Sequence, residues 1–191
     1  GDRRSWIVPL ALGIALLTIS VLGATQSPDD FFFAYLAGWS FLLTTALGGL
    51  FFLIFNHITR AAWSVVVNRI NEALVWAFPL LFLLGLPLLF GMHDLYHWTH
   101  EGLYDPSSPQ YDEVLAGKHA YLNVPFWSIR MVVYFAVWTL ISYRLYTFSL
   151  RQDVNPDPEL QQKLRSTSAW GLPLLAVTTA FASYDILMSL D

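Results

Sequence analysis

The sequence predicts an all-α protein, a polytopic bundle of five transmembrane helices. Three observations predict it. Of 191 residues, 55% are hydrophobic and 13% charged, about half the charge of an ordinary soluble domain. Five long runs carry almost no charge, each near the roughly 20 residues a helix needs to cross a bilayer. The cations fall unevenly between the two sides those runs define. Such a composition excludes a disordered chain and most soluble enzymes, and a net charge of −4 offers no basic field for nucleic acid. No cysteine is present. Disulfides, cysteine-ligated iron–sulfur clusters and c-type haem attachment are therefore outside this chain's reach.

The spans are expected at about 6–25, 31–57, 73–92, 124–146 and 167–189, forming a single transmembrane domain. The first follows Asp2, Arg3 and Arg4, as a signal peptide would. Four more spans follow it, so it reads as a retained helix. Ser27-Pro28-Asp29-Asp30 opens the second with a cap, a proline suited to the first helical position, and two carboxylates at the positive dipole end. Asp157-Pro158-Glu159 repeats that signal in the last linker. Pro79, Pro87 and Pro173 lie inside spans and predict kinks in the third and fifth helices. Gly48-Gly49 predicts close helix packing. Segment 61–70 reads as an interfacial amphipathic stretch.

Arg3, Arg4, Arg60, Arg69, Arg144, Arg151, Lys163 and Arg165 fall on the side of the N-terminus, and Lys118 and Arg130 on the other. Eight against two makes the N-terminal side cytoplasmic and places loop 92–123 outside. An odd number of spans leaves the last residue, Asp191, outside with no closing segment. The expectation is a chain truncated at its C-terminus.

Polar groups in or beside the spans carry the functional reading, because a charge in hydrocarbon faces a cavity or a partner. The proton-relay candidates are Asp185, Tyr184, Asp191, His57 and Glu72. His93, His97 and Arg130 are candidates for quinone or subunit contact. Arg130 stands in the first turn or so of the fourth span, where it could pair with Asp185, contact a quinone or lipid, or snorkel outward, the last being its leading expectation. Arg69 and Glu72, three residues apart, read as a surface ion pair. In a helix, His93, His97 and His100 would share one face. A metal there would want a fourth ligand and a second shell, for which His119, Asp94 and Glu101 are the only nearby candidates in sequence. The leading expectation is an interfacial helix whose histidines face water or a partner subunit, and no metal site. His57 and His93 stand only at span ends, a poor pattern for an intrinsic b haem.

Seven strings, in this order, go further: Gly48-Gly49-Leu50-Phe51-Phe52-Leu53, Ala61-Ala62-Trp63-Ser64-Val65-Val66, Phe90-Gly91-Met92-His93-Asp94-Leu95-Tyr96-His97-Trp98, Leu115-Ala116-Gly117-Lys118, Ala120-Tyr121-Leu122-Asn123-Val124-Pro125-Phe126, Ile129-Arg130-Met131-Val132-Val133-Tyr134-Phe135, and Phe181-Ala182-Ser183-Tyr184-Asp185-Ile186-Leu187-Met188-Ser189-Leu190-Asp191. From about Phe31 onward the chain resembles the second large membrane subunit of bacterial alternative complex III. That complex is a quinol:electron-acceptor oxidoreductase, and its membrane subunits resemble the polysulfide-reductase membrane anchor. The family's subunits have about ten spans, so the chain looks like the N-terminal half of one.

The resemblance implies a multi-pass subunit of the bacterial inner (cytoplasmic) membrane that supports quinol oxidation at the outer side. It implies no redox centre on this chain, with quinol as the complex's substrate. Haem c and iron–sulfur clusters belong to periplasmic partner subunits, beside other membrane subunits and lipids. A second quinone site or a proton half-channel is the role it implies here. Two other readings stand beside it: a stand-alone secondary transporter or proton-channel half, and an inert structural anchor.

Overall fold

The computed structural model describes residues 7–24, 28–60 and 65–190. Its elements are helical throughout, with no strand among the described residues. In chain order they are α1 (Ile7–Ala24), α2 (Pro28–Thr59), α3 (Val65–Val75), α4 (Phe78–Gly85), α5 (Met92–Leu95), α6 (Glu113–Lys118), α7 (Val124–Val154) and α8 (Pro158–Ile186). Single 3₁₀ turns follow α4 and α8, and two more lie in the loop after α5. Four helical segments are long and apolar enough to cross a membrane: Phe31–Thr59, Val67–Leu89, Val124–Val154 and Pro158–Leu190. α1 is an apolar helix of 18 residues that packs on α2.

The four long segments form a bundle in which α7 and α8 pack most extensively and α2 lies against α3 and α8. Side-chain pairs along α7 and α8 fix their opposed directions. Arg130 meets Asp185 at one end, Trp138 Nε1 donates to Thr178 Oγ1 at 2.9 Å midway, and Arg144 lies over the Trp170 ring at the other end. The core is built from Leu50, Leu53 and Ile54 of α2, Phe78 of α4, and Trp138 and Ile141 of α7. A β-carbon on Gly171 would meet the Ile141 side chain at 3.3 Å, so a small residue sets how closely α7 and α8 approach.

Three boundaries differ from the sequence expectation. α7 continues to Val154 and α8 begins at Pro158, at the start signal Asp157-Pro158-Glu159 but within the 147–166 stretch that the expected spans left as a linker. Thirty-one residues at 1.5 Å each make about 46 Å, well beyond a hydrocarbon core of about 30 Å. The charged stretch is thus a helical hairpin rising past the apolar slab. The Asp157 carboxylate caps α8 by accepting from Glu159 N at 2.8 Å. Residues 65–70, expected to lie along the interface, instead open the amphipathic helix α3 of the third span. Residues 61–64, and the Ser27 cap, lie outside the described residues.

The third span breaks at Trp76–Ala77, ahead of Pro79, and tightens into a 3₁₀ turn over Leu86–Leu89 around Pro87. Backbone oxygens near that break need donors inside a membrane. α2 supplies them: Tyr35 OH donates to Leu84 O at 2.6 Å and Trp39 Nε1 to Leu81 O at 2.8 Å. α8, in contrast, runs through Pro173 as one helix. Of the glycine pair, Gly49 packs against Asn71 and Leu74 of α3, whereas a β-carbon on Gly48 would meet nothing within 4 Å.

Candidate functional site

Polar side chains collect at the two ends of the bundle. At the end that the sequence expects to lie outside, labelled outer as the opposite end is labelled inner, the organising group is the Asp185 carboxylate on the last turn of α8, 1% exposed. Arg130, near the start of α7, donates to it with two nitrogens, Nε to Oδ2 and Nη2 to Oδ1, both at 2.8 Å. Tyr134 OH donates to Oδ2 at 2.8 Å and Tyr121 OH to Oδ1 at 3.1 Å. Four donors fill the roughly four lone-pair positions of a carboxylate. The guanidinium is held as firmly. Its Nη1 donates to Tyr121 O at 3.0 Å, and its carbon lies 3.9 Å from the Tyr121 ring centre and 4.5 Å from that of Phe126.

Backbone atoms around Asp185 are secured too. Trp127 Nε1 and Ser189 Oγ both donate to Asp185 O, at 2.9 and 2.7 Å. Tyr96 OH donates to Ile186 O at 3.1 Å. Burial, then the Asp185 charge, pushes the Tyr96 and Tyr121 hydroxyls above the usual tyrosine range, with Arg130 partly opposing the shift at Tyr121. Arg130 therefore does not snorkel: it is 8% exposed and turned inward. A carboxylate on the facing helix offers it better partners than water at the interface.

Beside this cluster lies an outer cavity of about 390 Å³ whose lining includes His97, Lys118, Tyr121, Tyr184 and Asp185. Three candidates from the sequence, His97, Tyr184 and Asp185, thus come together. Tyr184 is half-exposed and none of the donors to Asp185. Asp191 lies outside the described residues. His93, His97 and His100 do not share a helix face, because α5 ends at Leu95 and Tyr96 is extended, with φ −119° and ψ 110°. The following 3₁₀ turn folds them back, and the His93 and His100 rings stand 4.0 Å apart. Among the described residues no group of three or more His, Asp or Glu side chains is placed to hold a metal.

At the inner end, Glu72 is 4% exposed, not the surface partner its spacing suggested. It accepts from Arg69 Nη1 at 2.7 Å and from Ser149 Oγ of α7 at 2.6 Å. Arg69 also pairs with Asp153 of α7, so the ion pair is one link of a tie between α3 and α7. Asn56 Nδ2 donates to Asn68 Oδ1 at 3.0 Å. The His57 Nε2 atom is buried without a hydrogen-bond partner. The inner pair His57 and Glu72 and the outer group around Asp185 sit at opposite ends of the bundle.

Sequence reasoning missed Tyr134, Trp127 and Tyr121. The first two were legible: Trp127, Arg130 and Tyr134 stand at i, i+3 and i+7, one face of a helix. Tyr121 lies in a loop, where no periodicity places it. No protein-family model matches the chain, and no curated protein matches it.

Proposed function

We propose that the chain is a five-span membrane subunit of a quinol:electron-acceptor oxidoreductase of the alternative complex III type. In this reading it lies in the bacterial inner membrane, with its N-terminus cytoplasmic and the loop after the third span outside. The observation that carries the reading is the outer cavity, where His97, Tyr184 and the buried Asp185 line one space at one end of the bundle. Oxidation of a quinol releases two electrons and two protons. The electrons pass to haem c and iron–sulfur centres of partner subunits. The protons need acceptors at the outer face; Asp185 and His97 can each take one up, and the Tyr184 hydroxyl can pass one on by giving up its own as it receives another. Glu72 and His57 are the corresponding proton-handling groups at the inner end.

The saturation of Asp185 favours a second reading, in which its cluster is a clasp and the subunit an anchor for its partners. Gentle purification of the native protein, followed by an optical spectrum and a subunit mass census, tests the first. A c-type haem spectrum with several co-purifying chains is the expected result; a colourless solitary protein would overturn it. Asp185→Asn then separates the two roles. Lost quinol turnover with intact assembly supports the relay, whereas lost assembly, or unchanged turnover in the variant that still assembles, supports the clasp.

A further inference from the structure

The inner end of the bundle carries a cleft of about 700 Å³ where the ends of α2 and α7 meet the starts of α3 and α8. Its lining includes His57, Arg60, Gln152, Asp153 and Arg165. Arg60 is the only non-glycine residue with a positive φ among the described residues, at 54°. That left-handed conformation, just past the end of α2, is where glycine or asparagine is usual and other side chains are strained. Strain of this kind persists where the side chain is needed.

Charge gives the site its chemistry. Arg60 and Arg165 are both exposed and have neither an ion pair nor a hydrogen bond among the described residues. The one anion lining the cleft, Asp153, is engaged by Arg69, which also holds Glu72. The uncompensated charge is therefore positive. His57 Nε2, buried without a partner, can donate to an anion when it carries its proton. Two guanidinium forks suit the oxygens of a phosphate.

Depth decides the source of that phosphate. The cleft opens at the ends of the apolar segments Phe31–Thr59 and Val67–Leu89, the level of lipid headgroups. We propose that this cleft binds the phosphate of an anionic phospholipid headgroup, seated between Arg60 and Arg165.

The test uses the protein purified with its accompanying chains into phosphatidylcholine–detergent micelles. Phosphatidylglycerol, further phosphatidylcholine or inorganic phosphate is titrated in, with thermal melts and native mass spectrometry as readouts. Phosphatidylglycerol should bind saturably and raise the melting temperature, and the other two should not. Arg60→Gln and Arg165→Gln should each weaken that binding about fivefold, the worth of one interfacial cation. Arg60→Gly should weaken it equally while leaving the melting temperature without phosphatidylglycerol unchanged or higher, because glycine relieves the backbone. Arg151→Gln, an exposed arginine outside the cleft, should bind as the parent does. Equal binding by parent and cleft variants, or equal loss in Arg151→Gln, would overturn the site. Inorganic phosphate acting as well as the lipid would overturn the lipid assignment.

Discussion

Replacing Asp185 by Asn tests the outer cluster by leaving a buried guanidinium without its counter-charge. The Arg130 and Asp185 side chains are 10% and 1% exposed, so water does little to screen the loss. Asparagine keeps one acceptor oxygen and presents an amide where the other stood, so two of the four hydrogen bonds to the carboxylate disappear. Hydrogen bonds to charged groups are worth about 1.5–3 kcal/mol each. The expected destabilisation is about 3–5 kcal/mol, the range for breaking a buried pair by removing one partner. Arg130→Met should cost about as much for the mirror reason. The double variant Arg130→Met/Asp185→Leu removes both charges and leaves neither stranded. It should cost well under the sum of the singles, a coupling of about 2 kcal/mol or more. Unfolding in mixed micelles of increasing dodecyl sulfate fraction, followed by tryptophan fluorescence, measures all corners of the cycle. A coupling below about 0.5 kcal/mol, the usual error for independent sites, would refute the claim that Asp185 and Arg130 stabilise each other.

Three further outcomes follow from the geometry. Gly48→Ala should be neutral or mildly stabilising, because open space surrounds its β-carbon. Gly91→Ala should be strongly destabilising, because its β-carbon would meet the Phe32 ring at 2.2 Å; melting temperatures of the two variants check the contrast. Raising the pH should loosen the outer loop. The folded state holds the Tyr96 and Tyr121 hydroxyls above the usual range, so the stability they contribute is present below about pH 10 and lost as pH rises through the folded values. Hydrogen exchange of residues 92–123 between pH 9 and 11 reads that loss, and unchanged protection would contradict it. Finally, Tyr134→Phe should destabilise by about 1.5–3 kcal/mol, since its hydroxyl bonds a charged group. Tyr121→Phe should cost less, because that residue is exposed by 38%. The same melts rank them.

Four of the five expected spans were legible as long apolar helices, because a bilayer imposes a simple demand, a run of apolar residues of fixed length. That demand reports the thickness of the slab and not the length of the helix. It therefore missed the extension of α7 to Val154 and the early start of α8, which depend on the Asp157 cap and on helix-forming residues in water. The start of α3 was missed for the opposite reason. Asn68, Arg69, Asn71 and Glu72 look like a solvated linker, yet Asn68 and Glu72 bond to α2 and α7 inside the bundle. Site residues followed the same rule. Asp185 announced itself as a carboxylate among apolar neighbours, and Arg130 as a lone cation in a span. Their pairing was one option among several for Arg130 and could not be singled out, because 55 residues separate them and only the antiparallel packing of α7 on α8 joins them.

The arrangement around Asp185 also constrains how a proton could reach it. Arg130 keeps its protons under all ordinary conditions, so its two bonds to the carboxylate form a permanent clamp. A proton can arrive only where a tyrosine lets go. Tyr134 is buried on α7 between Arg130 and Trp138. Tyr121 stands on the loop before α7, is exposed over more than a third of its surface, and lines the outer cavity that Asp185 also borders. Clasp and relay are therefore divisible between residues. Arg130 and Tyr134 hold the two helices together, and Tyr121 is the one donor whose departure would open the carboxylate to the cavity. That departure is itself restrained, because Arg130 Nη1 holds the Tyr121 carbonyl. The loop must slide past the guanidinium rather than simply lift away. A proton-handling role for Asp185 thus requires motion of residues around 119–123, whereas a pure clasp requires their stillness.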